Sequence, residues 1–219
     1  MKPCSLPGLA CVLLALAATP APAQAPHTHQ HGFADADKWA QSFDDPARDA
    51  WQKPHEVIMA LGLKPDQVVA DIGAGTGYFA MRLAHFVPRG KVYGVDTEPK
   101  MVEYLDKRAR EAGLANLTAV AGAPDDAKLP EKVDLVLLVD VFHHIEGRAA
   151  YFARLRGSLK PGGRVAIIDF NARSKLGPPV AERLSPAQVK AEMRAAGYRS
   201  VAEPGFLPNQ YFLIFSAAG

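Results

Sequence analysis

Cysteine is almost missing from this chain: among 219 residues there are two, Cys4 and Cys11. From Val12 onward no thiol exists for a disulfide, a thiolate nucleophile or a thiolate metal site. Charge of one sign is equally scarce, with 25 Lys and Arg against 23 Asp and Glu and a formal net charge of +2. That balance lacks the dense basic surface of a dedicated nucleic-acid binder, so no nucleic acid is expected as partner. Long hydrophobic runs are missing too. The apolar stretch from Leu9 to Ala18 is too short to cross a bilayer of ~30 Å as a helix, which argues against a stable membrane anchor. What remains is ordinary: 48% hydrophobic, 22% charged and 8% aromatic residues, inside the globular range and outside that of disordered chains. The length suits one domain with a well-filled core.

The first segment reads as an address. Lys2 provides a positive start, Leu9 to Ala18 (LACVLLALAA) an apolar centre, and Ala21-Pro22-Ala23 the A-x-A form of a signal-peptidase site. Residues 1–23 are therefore expected to be a cleaved signal peptide, and the mature protein periplasmic or secreted. Gly8 stands where a lipobox before Cys11 would have Leu, which favours simple export over lipidation. Residues 24–34 form a polar linker in which His27, His29 and His31 alternate. Imidazoles so spaced can meet a metal ion, but no carboxylate or thiol completes a coordination sphere, and no metal site is assigned.

Residues 35–63 are expected to be helical and amphipathic, in two pieces broken at Pro46 and Pro54, with Trp39, Phe43, Trp51, Val57, Ile58 and Leu61 as apolar members. They suit either packing or a lid. From residue 64 to 219 the pattern becomes that of a core in which short β-type runs alternate with helices. Gln67 to Ile72, Lys91 to Asp96, Leu117 to Ala121, Val133 to Val139 and Arg164 to Phe170 read as buried parallel strands. Glu98 to Ala112 reads as a helix with Met101, Val102, Leu105 and Ala109 inward and Arg108 and Arg110 outward. Ser185-Pro186-Ala187-Gln188 combines an N-cap, a first-turn proline and a capping box, and Gly197 ends that helix. Tyr198 to Ala202 and Gln210 to Ser216 then follow with no helix between them, as antiparallel neighbours do. The fold class is α/β: a Rossmann-like three-layer sandwich whose seven-stranded, mostly parallel sheet ends in an antiparallel strand pair.

The strongest chemical signal is Asp71-Ile72-Gly73-Ala74-Gly75-Thr76-Gly77, between the first strand and a helix. Glycines there let backbone approach a ligand, and a helix start offers free N–H groups. The next strand ends at Asp96, 25 residues after Asp71, where an acid can accept hydrogen bonds from two ribose hydroxyls. Together these point to a nucleoside ligand. A dinucleotide fingerprint needs G-x-G-x-x-G, whereas Gly73, Gly75 and Gly77 make G-x-G-x-G and Tyr78 takes the third dinucleotide position.

Here the chain resembles the S-adenosylmethionine-dependent methyltransferases with a Rossmann-like core, especially the ubiquinone/menaquinone-biosynthesis type. Val69 to Gly77 (VADIGAGTG), Asp96, Val133 to Ile145 (VDLVLLVDVFHHI) and Leu159 to Asp169 (LKPGGRVAIID) carry the resemblance, which runs from Glu56 to Phe215. It implies S-adenosyl-L-methionine as cofactor, with Asp71, Gly73, Ala74, Gly75 and Gly77 at its methionyl end. It also implies the ribose on Asp96, the adenine beside Thr97 and the sulfonium bordered by Asp140. In place of the acid that many relatives set against the adenine, this chain has Gly122-Ala123-Pro124, with Asp125 and Asp126 slightly later.

Methyl transfer from a sulfonium disperses charge, so few obligatory catalytic residues are expected. An acceptor that must lose a proton needs a base, and His143 and His144 follow the strand that ends at the cofactor. His144 equally suits a structural slot. The expected reaction is methyl transfer to a small-molecule oxygen, carbon or nitrogen nucleophile. The alternatives are an exported, non-catalytic nucleoside- or metal-binding protein on the same fold and, against the glycine spacing, a nicotinamide dehydrogenase.

Overall fold

The computed structural model describes Met1 and residues 35–218. The expected signal segment beyond its first residue and the His-containing linker at 24–34 lie outside the described residues. Seven strands form one sheet: β1 (Val68–Ile72), β2 (Lys91–Asp96), β3 (Leu117–Ala121), β4 (Val133–Val139), β5 (Leu159–Phe170), β6 (Tyr198–Ala202) and β7 (Gln210–Ala217). Their order is β3-β2-β1-β4-β5-β7-β6. β1 to β5 are parallel; β7 runs antiparallel to β5, and β6 antiparallel to β7.

The helices are α1 (Ala36–Phe43), α2 (Arg48–Gln52), α3 (Pro54–Leu61), α4 (Ala80–Phe86), α5 (Pro99–Glu111), α6 (Arg148–Leu155) and α7 (Pro186–Ala195). Every residue of β1 is buried, because alternate side chains enter two separate cores. Val69, Leu135, Leu137, Ala166 and Ile168 pack against Val57, Ile58 and Leu61 of α3, Leu83 of α4 and Leu105 of α5. Ala70, Val136, Leu138, Val165 and Ile167 pack on the other side against Phe152 and Leu155 of α6 and Val189 and Met193 of α7. The result is the expected three-layer sandwich. Among the described residues, no helix is long and apolar enough to cross a membrane.

Local chemistry explains the ends of these elements. The Glu98 side chain accepts from the Lys100 N–H and Pro99 opens α5; Ser185 and Gln188 form the reciprocal capping box at α7. Three expectations need correction. The N-terminal stretch has three helices rather than two pieces, since Lys53, kept out of the α region by the Pro54 ring, adopts φ 48 and separates α2 from α3. From sequence, the fifth strand is expected to begin at Arg164, but its ladder reaches back to Leu159 through an irregularity opposite Val133 and Leu135, spanning Pro161 and Gly162. Arg108 does not simply point outward. Its Nη1 donates to Asp44 Oδ2 at 2.7 Å and to the Thr76 carbonyl at 2.9 Å, joining α5, the end of α1 and the glycine loop.

The chain winds outward from β1 through β2 to β3, then returns to β4 on the other side of β1. At that reversal the crossovers part and leave a crevice beyond the carboxyl ends of the strands. Ile72, Asp96, Val139 and Phe170 end their strands at this edge, and Gln210 opens β7 there, opposite Phe170.

Candidate functional site

The loop after β1 is held by its neighbour strand. The N–H groups of Gly73 and Ala74 donate to the Val95 carbonyl at 2.8 and 3.0 Å, and the Gly75 N–H donates to Asp96 Oδ2 at 2.8 Å. Gly73 has φ +71, and a Cβ there would lie 2.3 Å from Val141 Cγ2, so glycine is required twice over. At Gly77 a Cβ would lie 2.4 Å from Leu105 Cδ1, which shows that the third glycine admits a core side chain of α5. Asp71 is buried beneath the loop and accepts from the Ala80 N–H at the start of α4; burial pushes its carboxyl up to about 7.

Asp96 is prepared as an acceptor. Besides Gly75 on Oδ2, the Glu98 N–H donates to Oδ1 at 3.0 Å, so each oxygen is oriented by a backbone donor, and the carboxylate has further acceptor capacity for a ligand hydroxyl. Burial raises its pKa, while the N–H groups of Glu98, Gly75 and Thr97 oppose the rise. Thr97 is exposed at the rim. Asp125 and Asp126 are engaged elsewhere: Asp125 pairs with Arg154 at 2.8 Å, and Asp126 accepts from the Lys128 N–H at 2.9 Å.

The N-terminal helices lie against this loop. The Phe43 ring comes within 3.4 Å of the Cβ position of Gly75 and stacks on Trp39 at 5.2 Å. Tyr78 is sandwiched between guanidinium groups, Arg48 at 4.0 Å and Arg82 at 4.1 Å from its ring centre, and its hydroxyl donates to Asp49 of α2. Trp51 meets Phe170 at 5.8 Å.

Two polar groups close the far side. Asp140, with φ 59, follows β4; its Oδ1 accepts from Gln210 Nε2 at 2.6 Å, and Gln210 Oε1 accepts from the fully buried Gln52 at 2.6 Å. Arg48 completes the ring, donating to Gln52 at 3.3 Å and standing 4.0 Å from Asp140 Oδ2. Burial first, then the charge of Asp169, push the Asp140 carboxyl up. In the second group His143 Nδ1 is 2.7 Å from Asp169 Oδ2, while the Phe170 N–H holds Asp169 Oδ1 at 2.8 Å. Burial opposes a charge on His143, but the hydrogen bond and charge of Asp169, with Asp140 and Glu182 beyond, outweigh it and raise the imidazole pKa. His144 is exposed, its ring centre 4.0 Å from that of His143.

The edge thus gathers Asp71, Gly73, Ala74, Gly75, Asp96, Asp140 and His143, leaving Thr97 and His144 on its rim. Sequence reasoning missed Arg48, Gln52, Asp169 and Gln210. Asp169 had a signal, as the last residue of LKPGGRVAIID; Arg48, Gln52 and Gln210 had none, because only folding brings their distant segments together. The residues fit the cofactor that the resemblance implies. The loop leaves no room for a side chain at Gly73, Asp96 presents a carboxylate already oriented by backbone donors, and the buried Thr76 hydroxyl has no hydrogen-bond partner.

Comparison with known proteins agrees. Residues 63–208 match the family described as methyltransferase domain. A protein-L-isoaspartate O-methyltransferase of Pyrococcus horikoshii is 29% identical over 56% of this chain and 54% of its own length. An uncharacterized methyltransferase of Geobacillus kaustophilus is 27% identical over 80% of this chain and 76% of its own length. The chain spans about half the length of several of the curated relatives it matches. Among solved structures, an S-adenosylmethionine-dependent methyltransferase from Aquifex aeolicus superposes with TM-score 0.76 at 27% identity, covering 83% of this chain and 97% of that one. The match takes in the glycine loop, Asp96, Asp140, His143 and Asp169 in one continuous stretch, and on that ground the chain belongs to the methyltransferase domain family.

Proposed function

We propose that the chain binds S-adenosylmethionine at the carboxyl edge of the sheet and transfers its methyl group to a small-molecule acceptor. The observation that supports this best is Asp96, with both oxygens oriented by backbone donors beside a loop that excludes side chains. When bound, the cofactor supplies a methyl group on an electron-poor sulfonium. In this reading Asp96 holds the ribose, Thr97 borders the adenine, and Gly73, Ala74 and Gly75 admit the methionyl end, whose carboxylate meets Arg48. The carboxylate of Asp140 faces the positive sulfur. The likeness to the ubiquinone/menaquinone-biosynthesis type favours an acceptor of low molecular weight. Calorimetric titration with S-adenosylmethionine tests the reading: saturable one-to-one binding supports it, and no heat and no thermal protection would overturn it.

Of the 35–63 segment expected to form a lid, α1 and α2 serve as the lid in this proposal, while α3 is packed into the core. Phe43 over Gly75 and the Asp44–Arg108 pair, at 2.7 Å, give α1 a position from which to exclude water. Deleting residues 35–46 is expected to leave a folded core, anchored by α3, that loses transfer activity and exposes bound cofactor to solvent quenchers. Normal turnover by the truncated protein would make Trp39 and Phe43 packing residues instead.

Export is the remaining element. Lys2, the apolar run and Ala21-Pro22-Ala23 support removal of residues 1–23 and residence outside the cytoplasm. N-terminal sequencing of the protein from cell fractions should find Gln24 first, in the periplasm or medium. Cytosolic protein still beginning at Met1 would end the export proposal.

A further inference from the structure

We infer that the acceptor is a neutral hydroxyl compound, an alcohol or a phenol, which gives its proton to His143 while Asp169 orients the ring and Tyr211 offers a hydrogen bond. This rests on the methyl-transfer reading and narrows it. Three independent observations converge.

The first is the His143–Asp169 pair. Asp169 and His143 side chains are 4% and 9% exposed, so their 2.7 Å contact lies in a poorly hydrated place where it is strong. With the Nδ1–H directed at Asp169, the neutral ring carries its lone pair on Nε2. That arrangement is a base held in one tautomer, and it suits an acceptor that holds its proton at neutral pH. A carboxylate has already lost its proton and needs no base.

The second is charge. Asp140 follows β4, Asp169 stands one residue before the end of neighbouring β5, and Asp96 ends β2 along the same edge. A carboxylate acceptor would enter against these groups. Arg48, the cation on α2, is turned to Asp140 and stacked on Tyr78, and in the proposed complex it meets the cofactor's own carboxylate. A neutral acceptor meets no such repulsion, while the cationic sulfonium suits the acidic edge.

The third is Tyr211. It stands directly opposite Asp169 in the β5–β7 ladder, so both side chains leave the same face of the sheet. Its hydroxyl is buried and has no hydrogen-bond partner, an arrangement that costs stability unless something else uses it. Asp169 and Asp140 are the acids whose charge it feels most. A hydroxyl that can both donate and accept matches an alcohol or phenol oxygen.

In the transfer, the acceptor oxygen forms its bond to the methyl carbon as the carbon–sulfur bond breaks, and that electron pair stays on sulfur. The acceptor proton goes to His143 Nε2, and the imidazolium, stabilised by Asp169, later releases it to solvent. The rate should therefore rise as pH passes upward through the His143 pKa. The groups that set this pKa are Asp169 on β5, Asp140 after β4 and Glu182 in the loop before α7, with His144 stacked alongside.

The test incubates the protein with methyl-labelled S-adenosylmethionine and a small-molecule extract, then treats the products first with mild alkali, which releases label from methyl esters, and then with warm hydriodic acid, which releases it from methyl ethers as methyl iodide and leaves carbon- and nitrogen-bound methyl groups in place. Label that resists alkali but is released by hydriodic acid is expected, falling on the order of a hundredfold in His143→Gln; label that resists both treatments would overturn the inference. In Asp169→Asn the rise with pH should move to lower pH, and Tyr211→Phe should raise KM more than it lowers kcat. NMR titration of the His143 ring gives a readout without turnover: its pKa should drop in Asp169→Asn. Alkali-labile label, label unaffected by His143→Gln, or an unmoved His143 titration would each overturn the inference. Calorimetry separates the two levels. A protein that binds S-adenosylmethionine but labels no hydroxyl compound overturns the acceptor inference alone, whereas one that does not bind it overturns the reading beneath.

Discussion

Replacing Asp96 by alanine is expected to weaken S-adenosylmethionine binding about a hundredfold. Hydrogen bonds to an ionised acceptor contribute ~1.5–3 kcal/mol, so loss of the ribose contacts alone corresponds to roughly that factor. The structure adds a second loss, because Oδ2 holds the Gly75 N–H at 2.8 Å and Oδ1 the Glu98 N–H at 3.0 Å. Without the carboxylate, the glycine loop and the start of α5 lose their common tie. Asp96→Asn should not rescue binding fully: both carboxylate oxygens face N–H donors, and an amide must turn its own NH2 toward one of them. Calorimetry on variants shown to be folded by circular dichroism checks both. Affinity within a factor of about three of wild type in Asp96→Ala would remove this residue from the site.

Gly73→Ala is the second substitution with a large expected effect. Alanine at φ +71 is placed in the left-handed region at a cost of about 1–2 kcal/mol, and its Cβ would stand 2.3 Å from Val141 Cγ2. Forcing that contact apart adds about 1–3 kcal/mol. For a domain of this size each kcal/mol lowers Tm by roughly 2–4 °C, so a drop on the order of 4–20 °C is expected. Gly62→Ala is the control, since Gly62 has φ +59 but no atom within 4 Å of the Cβ position. Its smaller loss reads the backbone cost alone. Equal drops in the two variants would mean that Val141 yields freely and that the crowding at Gly73 has no energetic weight.

Which parts of this molecule were legible before folding follows from the range of the forces involved. Strand identity, the α7 cap and the glycine loop rest on periodicity and on contacts a few residues apart, so VADIGAGTG, Asp96 and Ser185 to Gln188 announce them in the chain itself. From the same local signals come the layered α/β order and, by resemblance, the cofactor class. The tertiary structure decided what depends on distant partners. Arg108 reads as a solvated helix position until α1 and the Thr76 carbonyl arrive beside it. Asp169 reads as a strand end until β4 and β5 pair and bring His143 to its carboxylate. Gln52, Gln210, Asp140 and Arg48 form one ring only because α2 settles on an edge where β4 ends and β7 begins. Hydrogen bonds and buried charges act over a few ångströms in space, and a linear pattern carries no record of which side chains the sheet will bring that close.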